Sequence, residues 1–248
     1  MDKIHITGID ISNVHFNELI DYFNRAIDQK QKIRVCVTPV NSLTTAHRQP
    51  ALKEIYNSAD MVLCDGVPIV WASRFLNTPI KERITGLDVM PVYIAECARK
   101  NYSMFFLGAR EGVAGTLQQK IEQAYPGINI VGVYTPPFAE RFSENETAKM
   151  IDLVNEAKPN VLWVSLTAPK QDIWLYENLH RLHTNIAIGV GGAFEVTAGI
   201  ITRAPRWMQL SGLEWLYRFL QEPKRMFRRY FIEAPLFFPL IIRQKFKR

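Results

Sequence analysis

The chain is predicted to be an α/β protein, a Rossmann-like, mostly parallel sheet covered by helices, with a basic helical appendage at its C-terminal end. Three observations predict this. Short apolar, β-branched runs alternate with longer amphipathic segments. Those runs are apolar on both faces, as strands covered from both sides must be. The charge pattern changes after residue 200. A chain of 248 residues suits one such domain carrying an appendage and is too short for a multi-domain machine. The α/β core is therefore placed at residues 1–200 and the appendage at 201–248.

The elements follow in order. Residues 4–11 read as one or two short strands, and residues 16–27 as a helix. Six further strands are expected at 33–38, 61–64, 103–107, 129–133, 161–166 and 186–190, each a run rich in Val, Ile, Leu or Phe. Helical patterns lie between them at 46–58, 68–76, 87–100, 112–125, 143–157 and 170–183. Beyond Gly199 the alternation is broken by Arg203-Ala204-Pro205. Residues 213–221 then read as a helix, and Pro223 suits the first turn of another running into Phe231.

Composition narrows the class. With 48% hydrophobic and 22% charged residues, 13 Gly and 14 Pro, the chain has neither the polar bias of disorder nor a repeat bias. Cys36, Cys64 and Cys97 are too few and too widely spaced for a disulfide framework or a zinc site, which favours a reducing compartment. Residues 1–13 lack the basic start and apolar stretch of a secretory signal, so a cytoplasmic location is expected. No apolar run approaches the roughly 20 residues that span a bilayer. The longest near the C-terminal end, 235–242, has eight residues and two prolines.

Charge is unevenly placed. From residue 201 onward there are eleven Lys/Arg and three Glu, a net of +8, so residues 1–200 carry −2 of the overall +6. Nucleic-acid binding needs its positive charge on the folded domain, and here the body is slightly acidic, so no nucleic-acid partner is expected. Residues 224–248 interleave Phe, Tyr and Met with eight Lys/Arg. Such a segment suits an anionic membrane interface, rings in the acyl boundary and cations on headgroups; the alternative is that the rings pack on the domain and the cations are merely solvated.

Several polar groups fall where strands end, and in a parallel sheet such ends share one edge, where ligands bind. They are Thr38 and Asn41, Asp65-Gly66, Thr85 with Asp88, Gly108, Gln171, and the run Gly189 to Glu195 that includes Gly191, Gly192 and Phe194. Each has a bland alternative: Asp65-Gly66 as a turn, Asn41 as a helix cap, the glycines as tight strand–helix junctions, Thr85 to Asp88 as a helix start. The functional reading is a pocket for a phosphorylated ligand, with backbone N–H groups and glycine turns facing phosphate. Neither the G-x-G-x-x-G dinucleotide fingerprint nor a P-loop is present. The histidines and carboxylates show no metal-ligand spacing, and no Asp-x-Asp pair occurs, so no metal is expected. If a diphosphate leaves during the reaction, arginine is the natural group to neutralise it, and Arg218, Arg225, Arg228 and Arg229 are available from the C-terminal third.

Taken together, Thr38 to Asn41, Ala59-Asp60 to Asp65-Gly66, Glu82 to Asp88, Phe106 to Ala109, Ala168 to Asp172 and Ile188 to Phe194 resemble the WecG/TagA/CpsF glycosyltransferases, also called glycosyltransferase family 26. The stretches Arg203 to Met208, Gly212 to Arg218 and Gln221 to Arg225 look like that family's C-terminal signature. The likeness covers nearly the whole chain. It implies an inverting, metal-independent transfer of N-acetylmannosamine, its uronic acid, glucuronic acid or a hexose from a UDP-sugar. The implied acceptor is a polyprenyl-diphosphate-linked saccharide at the cytoplasmic membrane face, during bacterial surface-polysaccharide assembly.

By the same resemblance Asp65 is the catalytic base and Asn41, with Thr38, lines the sugar pocket. Gln171 and Glu195 contact donor groups, and Arg218, Arg225 and Arg228 reach the site from the appendage. Gly66, Thr85, Asp88, Gly108, Gly191, Gly192 and Phe194 complete the expected substrate-binding set. The competing expectation is a non-catalytic sugar-nucleotide or lipid-binding protein on the same scaffold. A homo-oligomer is left open by the sequence.

Overall fold

The computed structural model describes residues 2–246, apart from the side chain of Arg225. It opens with a hairpin, β1 (Lys3–Ile6) and β2 (Ile9–Ser12), turned by Thr7 and Gly8, both at positive φ as a two-residue hairpin turn requires. Helix α1 (Phe16–Asp28) leads into β3 (Ile33–Pro39), and α2 (Val40–Arg48) and α3 (Pro50–Asn57) into β4 (Met61–Asp65). Next come α4 (Val67–Phe75), α5 (Gly86–Lys100), β5 (Met104–Gly108), α6 (Val113–Ala124) and β6 (Ile130–Tyr134). The core ends with α7 (Glu144–Ala157), β7 (Val161–Ser165), α8 (Lys170–Asn178), β8 (Ile186–Gly189) and α9 (Ala193–Thr197).

The last six strands form one parallel sheet, β4-β3-β8-β7-β5-β6. Alternation along each strand feeds two cores. Val35, Val37, Met61 and Leu63 enter a cluster with α1, α5 and α6, while Cys36, Val62 and Cys64 join one with α2, α3 and α4. That double burial is why the strands read as near-continuous apolar runs. The hairpin sits beside β4, with Ser12 Oγ accepting from the Val62 N–H at 3.1 Å. It thereby occupies the sheet edge that would otherwise be open.

Two sequence expectations are corrected. The helix expected at 46–58 is two helices, because Pro50 has no N–H to continue α2 and instead starts α3 at its first turn. The helix expected to reach residue 183 ends as α-helix at Asn178 and closes in a short 3₁₀ turn, Leu179–Arg181.

After residue 200 the chain is helical and folds back over the core. Its elements are α10 (Arg206–Leu210), α11 (Glu214–Gln221), α12 (Pro223–Phe227), a π-helical stretch Arg228–Glu233, a 3₁₀ turn Ala234–Leu236 and α13 (Phe237–Phe246). Phe237 and Ile241 of α13 are buried with Ile69, Ala72 and Leu76 of the core. Gln244 accepts from the Thr7 N–H at 2.7 Å and donates to the His5 carbonyl at 2.8 Å, fastening α13 to the hairpin. Among the described residues, no helix is long and apolar enough to cross a membrane.

A buried polar cluster lies under β3. Asp172 is fully buried and accepts from the Tyr56 hydroxyl at 3.1 Å, with Arg34 nearby. Burial pushes its carboxyl up to about 7, against the pull of the Tyr56 and Cys36 hydrogen bonds and the Arg34 charge. The unfolded chain ionises Asp172 near the ordinary value of about 3.9. Between that pH and about 7 only the folded state holds the proton, so stability falls as pH rises through this window. Asp172→Asn removes this titration. Its melting temperature is expected to exceed that of the parent at pH 8 and to converge on it near pH 4; a gain independent of pH would contradict the assignment.

Candidate active site

The carboxyl ends of β3, β4, β7 and β8 open into a cavity of 620 Å³, roofed by the C-terminal helices and within the usual size for a small-molecule site. Asp65 is the last residue of β4, in register with Pro39 of β3, and lines the cavity together with Gly66. Helices begin at once on both strands, at Val40 and Val67, so the two chain reversals are tight. A Cβ on Gly66 would lie 3.1 Å from Val40 Cγ2. Asn41, in the first turn of α2, also lines the cavity, and its Oδ1 is buried without a hydrogen-bond partner among the described residues.

The opposite wall is the turn after β8. Ser165 Oγ donates to the Gly191 carbonyl at 2.7 Å, and the Gly191 N–H donates to Gln171 Oε1 at 3.1 Å. Gly191 has φ +52°. A Cβ on Gly189 would meet buried Gln171 Nε2 at 2.6 Å, so that position cannot carry a side chain while Gln171 stays in place. Arg218 of α11 lies directly above: a Cβ on Gly192 would be 3.5 Å from its Nη2. Glu222 holds the same nitrogen at 2.7 Å.

A third wall is ionic. Thr85 caps α5, accepting from the Asp88 N–H at 3.2 Å and donating to Asp88 Oδ2 at 2.7 Å. Asp88 Oδ1 pairs with Arg203 Nη2 at 2.6 Å, and Arg203 Nε donates to Glu214 Oε1 at 2.9 Å. The other Glu214 oxygen faces Arg83 at 3.4 Å. This chain of charges ties α11 to the start of α5 and to the loop carrying Arg83. Each member is partly buried, where ion pairs matter more than on an open surface.

Burial pushes the Asp65 carboxyl above the ordinary aspartate range; Arg229 and Arg83 pull it back down, and Glu214 and Asp88 add to the rise. Tyr230 shares this environment: burial raises its hydroxyl, the neighbouring Arg229 lowers it and Asp65 raises it. Asp65 thus lies within electrostatic reach of one arginine of the core, Arg83, and one of the C-terminal helices, Arg229.

Among the residues expected from sequence, the structure brings Asp65, Gly66, Asn41, Thr85, Gln171, Gly191, Gly192 and Arg218 to the cavity wall. Asp88 stands behind it, reaching the wall through Arg203. Thr38 is fully buried beneath it, because the alternation that sends Val37 to the cavity sends Thr38 to the other face; its Oγ1 has no partner among the described residues. Glu195 is also buried behind the wall, close to Gly192, with Arg110 at 3.8 Å.

Three expected positions lie elsewhere. Phe194 is in the core, edge-on to Phe106 at 5.6 Å. Gly108 is glycine for packing, since a Cβ there would be 2.4 Å from the Ser165 carbonyl oxygen, and its φ is +108°. Arg228 is 80% exposed and paired with Glu233 at 3.1 Å, outside the cavity lining, where its neighbour Arg229 lies instead. The side chain of Arg225 lies outside the described residues.

Sequence reasoning assigned no role to Arg83, Arg203, Glu214 or Tyr230. Arg83, Arg203 and Glu214 lie in the stretches Glu82 to Asp88, Arg203 to Met208 and Gly212 to Arg218 that carry the family resemblance, and that was the available signal. No set of three His, Cys, Asp or Glu side chains gathers as metal ligands among the described residues.

Residues 4–248 match the Glycosyl transferase WecG/TagA/CpsF family. The chain belongs to that family. Among its relatives, an N-acetylglucosaminyldiphosphoundecaprenol N-acetyl-beta-D-mannosaminyltransferase of Bacillus subtilis (strain 168) is 30% identical over 89% of this chain and 84% of the relative. The proteins of the same name from Bacillus spizizenii and Staphylococcus aureus (strain MW2) are 29% and 26% identical. They cover 73% and 91% of this chain, and 68% and 87% of themselves. As a member of the WecG/TagA/CpsF family the protein is a glycosyltransferase of polysaccharide synthesis. The cavity lies at the carboxyl ends of the parallel strands, where open α/β sheets bind ligands.

Proposed function

We propose that the protein transfers N-acetylmannosamine, or a close relative of it, from a UDP-sugar to a polyprenyl-diphosphate-linked saccharide, with inversion and without a metal. The relatives named above act on N-acetylglucosaminyl-diphosphoundecaprenol, which supports this class of acceptor. The single observation that carries the reading is Asp65 at the β4 tip, lining one cavity with Arg83 of the core and with Arg218 and Arg229 of the C-terminal helices.

In this scheme the acceptor hydroxyl approaches the anomeric carbon from the side opposite the nucleotide. Its proton passes to Asp65 as the new carbon–oxygen bond forms. The bond from the anomeric carbon to the diphosphate oxygen breaks with its electron pair on UDP. The guanidinium groups and the Gly191–Gly192 turn then face the growing negative charge on the leaving group. Asn41 Oδ1 and Gln171 hold sugar or nucleotide hydroxyls. Asp65 later returns its proton to water.

The cationic and aromatic C-terminal helices are proposed to rest on the anionic inner face of the cell membrane, where the acceptor resides. The test is UDP release from a panel of UDP-sugars with a short-chain lipid-diphosphate-linked sugar. Turnover with UDP-N-acetylmannosamine that survives EDTA is expected. Binding of UDP-sugars without any transfer would instead favour the non-catalytic reading.

A base must be ionised to act, so activity should fall as pH drops through the Asp65 pKa, at a pH above the ordinary aspartate range. Arg229 lowers that pKa. Arg229→Ala is thus expected to shift the acid limb of the kcat/KM profile to higher pH, in addition to reducing its plateau. An unmoved limb would separate Arg229 from Asp65.

A further inference from the structure

The apolar wall of the cavity does not stop at its mouth. Trp71 of α4 lines the cavity and Phe75, one turn further along, continues outward; they are 55% and 47% exposed. Facing them, Phe238 at the start of α13 lines the cavity too, and Ile242 and Phe246 follow it at four-residue spacing, all exposed. The two helices contribute to one buried cluster and are joined by a hydrogen bond. Ala72 and Ile69 share one buried cluster with Phe237 and Ile241, and Lys245 Nζ donates to the Phe75 carbonyl at 2.7 Å. The exposed residues of α4 and α13 therefore lie on one surface leading out from the cavity, over about 6 Å on α4 (Trp71 to Phe75) and about 12 Å on α13 (Phe238 to Phe246).

A solvent-facing strip of this size and character marks a contact site. Besides the indole N–H of Trp71 the one polar group set among these side chains is the Lys245 ammonium, which is taken up by the Phe75 carbonyl and ring, so the strip suits a chain of hydrocarbon. Its inner end is continuous with the cavity, where Asp65, Arg83 and Arg229 suit a sugar diphosphate. One molecule with a charged, sugar-bearing head and a long apolar tail satisfies both ends. We infer that the Trp71–Phe75 and Phe238–Ile242–Phe246 edges form a track for the polyprenyl chain of the acceptor, carrying it from the catalytic cavity toward the membrane. This rests on the acceptor class proposed above and adds how the protein recognises the lipid.

The test uses the full chain with Phe75→Ser and Ile242→Ser combined, two exposed positions outside the cavity lining. Transfer is measured in detergent, without vesicles, to two acceptors with the same sugar diphosphate, one on a long polyprenyl chain and one on a short alkyl group. The variant is expected to raise KM for the long-chain acceptor about tenfold, by losing apolar contact, and to leave KM and kcat for the short-chain acceptor within twofold. Unchanged short-chain turnover also shows that the variant is folded.

Equal KM changes for both acceptors, or none for either, would overturn the inference. So would a variant that binds anionic vesicles less well than the parent yet keeps the parent's ratio of long-chain to short-chain KM, since the strip would then be a membrane anchor alone. Parent turnover on the short-chain acceptor establishes the acceptor reading separately, so failure of the track leaves that reading standing. Parent inactivity with both acceptors overturns the two together.

Discussion

Asp65→Asn is expected to lower kcat by about 10²- to 10⁴-fold, the usual worth of a positioned general base, while leaving UDP-sugar binding within a few-fold of the parent. The asparagine fills the same volume at the end of β4 and keeps the adjoining turn, so neither the Pro39–Asp65 register nor the cavity wall need change. What disappears is the capacity to accept a proton. Two measurements separate this from a structural defect. The thermal shift produced by UDP-sugars should persist, because ligand binding to the native state still raises apparent stability. The acid limb of the pH–rate profile should vanish, because the group whose burial lifts its pKa above the normal aspartate range is gone. Turnover equal to the parent would remove Asp65 from the chemistry. A lost thermal shift would make it a binding residue instead.

The sheet was legible because of a physical constraint. Strands covered on both faces are apolar at most positions, so β3, β4, β5, β7 and β8 stand out as near-continuous runs, interrupted in β3 by buried Arg34 and Thr38, and parallel pairing then puts all their carboxyl ends on one edge. That is how Asp65, Asn41, Gln171 and the Gly191–Gly192 turn were found without coordinates. The side to which a residue turns after leaving a strand was not legible. Phe194 begins a short helix whose inner face meets Phe106, and Gly108 is fixed by a close approach of the Ser165 backbone. Both are consequences of packing between segments far apart in sequence.

The C-terminal arginines show the same limit in another form. The stretch Arg228–Glu233 winds as a π-helix, whose hydrogen bonds reach five residues rather than four and so alter the rotation between successive side chains. Arg228 and Glu233, five residues apart, are brought together by one such turn outside the cavity, whereas Arg229 lines it. The ionic chain Asp88–Arg203–Glu214–Arg83 is equally invisible to local spacing, since it joins α5, the segment after residue 200 and α11 across more than a hundred positions.

Arg218→Ala is expected to cost about 10²- to 10³-fold in kcat, the range seen when one preorganised donor to a developing anion is removed. Arg218 lies over Gly192 and is steadied by Glu222, so its guanidinium is set in place by protein contacts. The Gly191–Gly192 turn and Arg83 line the same cavity, and with Arg218 they are proposed to form the surface that a diphosphate meets. If that surface serves the leaving group, UDP as a product inhibitor should bind at least tenfold more weakly to the alanine variant. Arg218→Lys should recover only part of the loss, because an ammonium cannot present the planar fork that grips two phosphate oxygens at once. Glu222→Gln offers a control of a different kind. It leaves the guanidinium but loosens its anchor, so kcat should fall by less than in the alanine variant while UDP inhibition stays close to the parent. An alanine variant with reduced kcat but unchanged UDP inhibition would assign Arg218 to holding α11 in place, and the charge of the leaving group would then fall to Arg83 and Arg229.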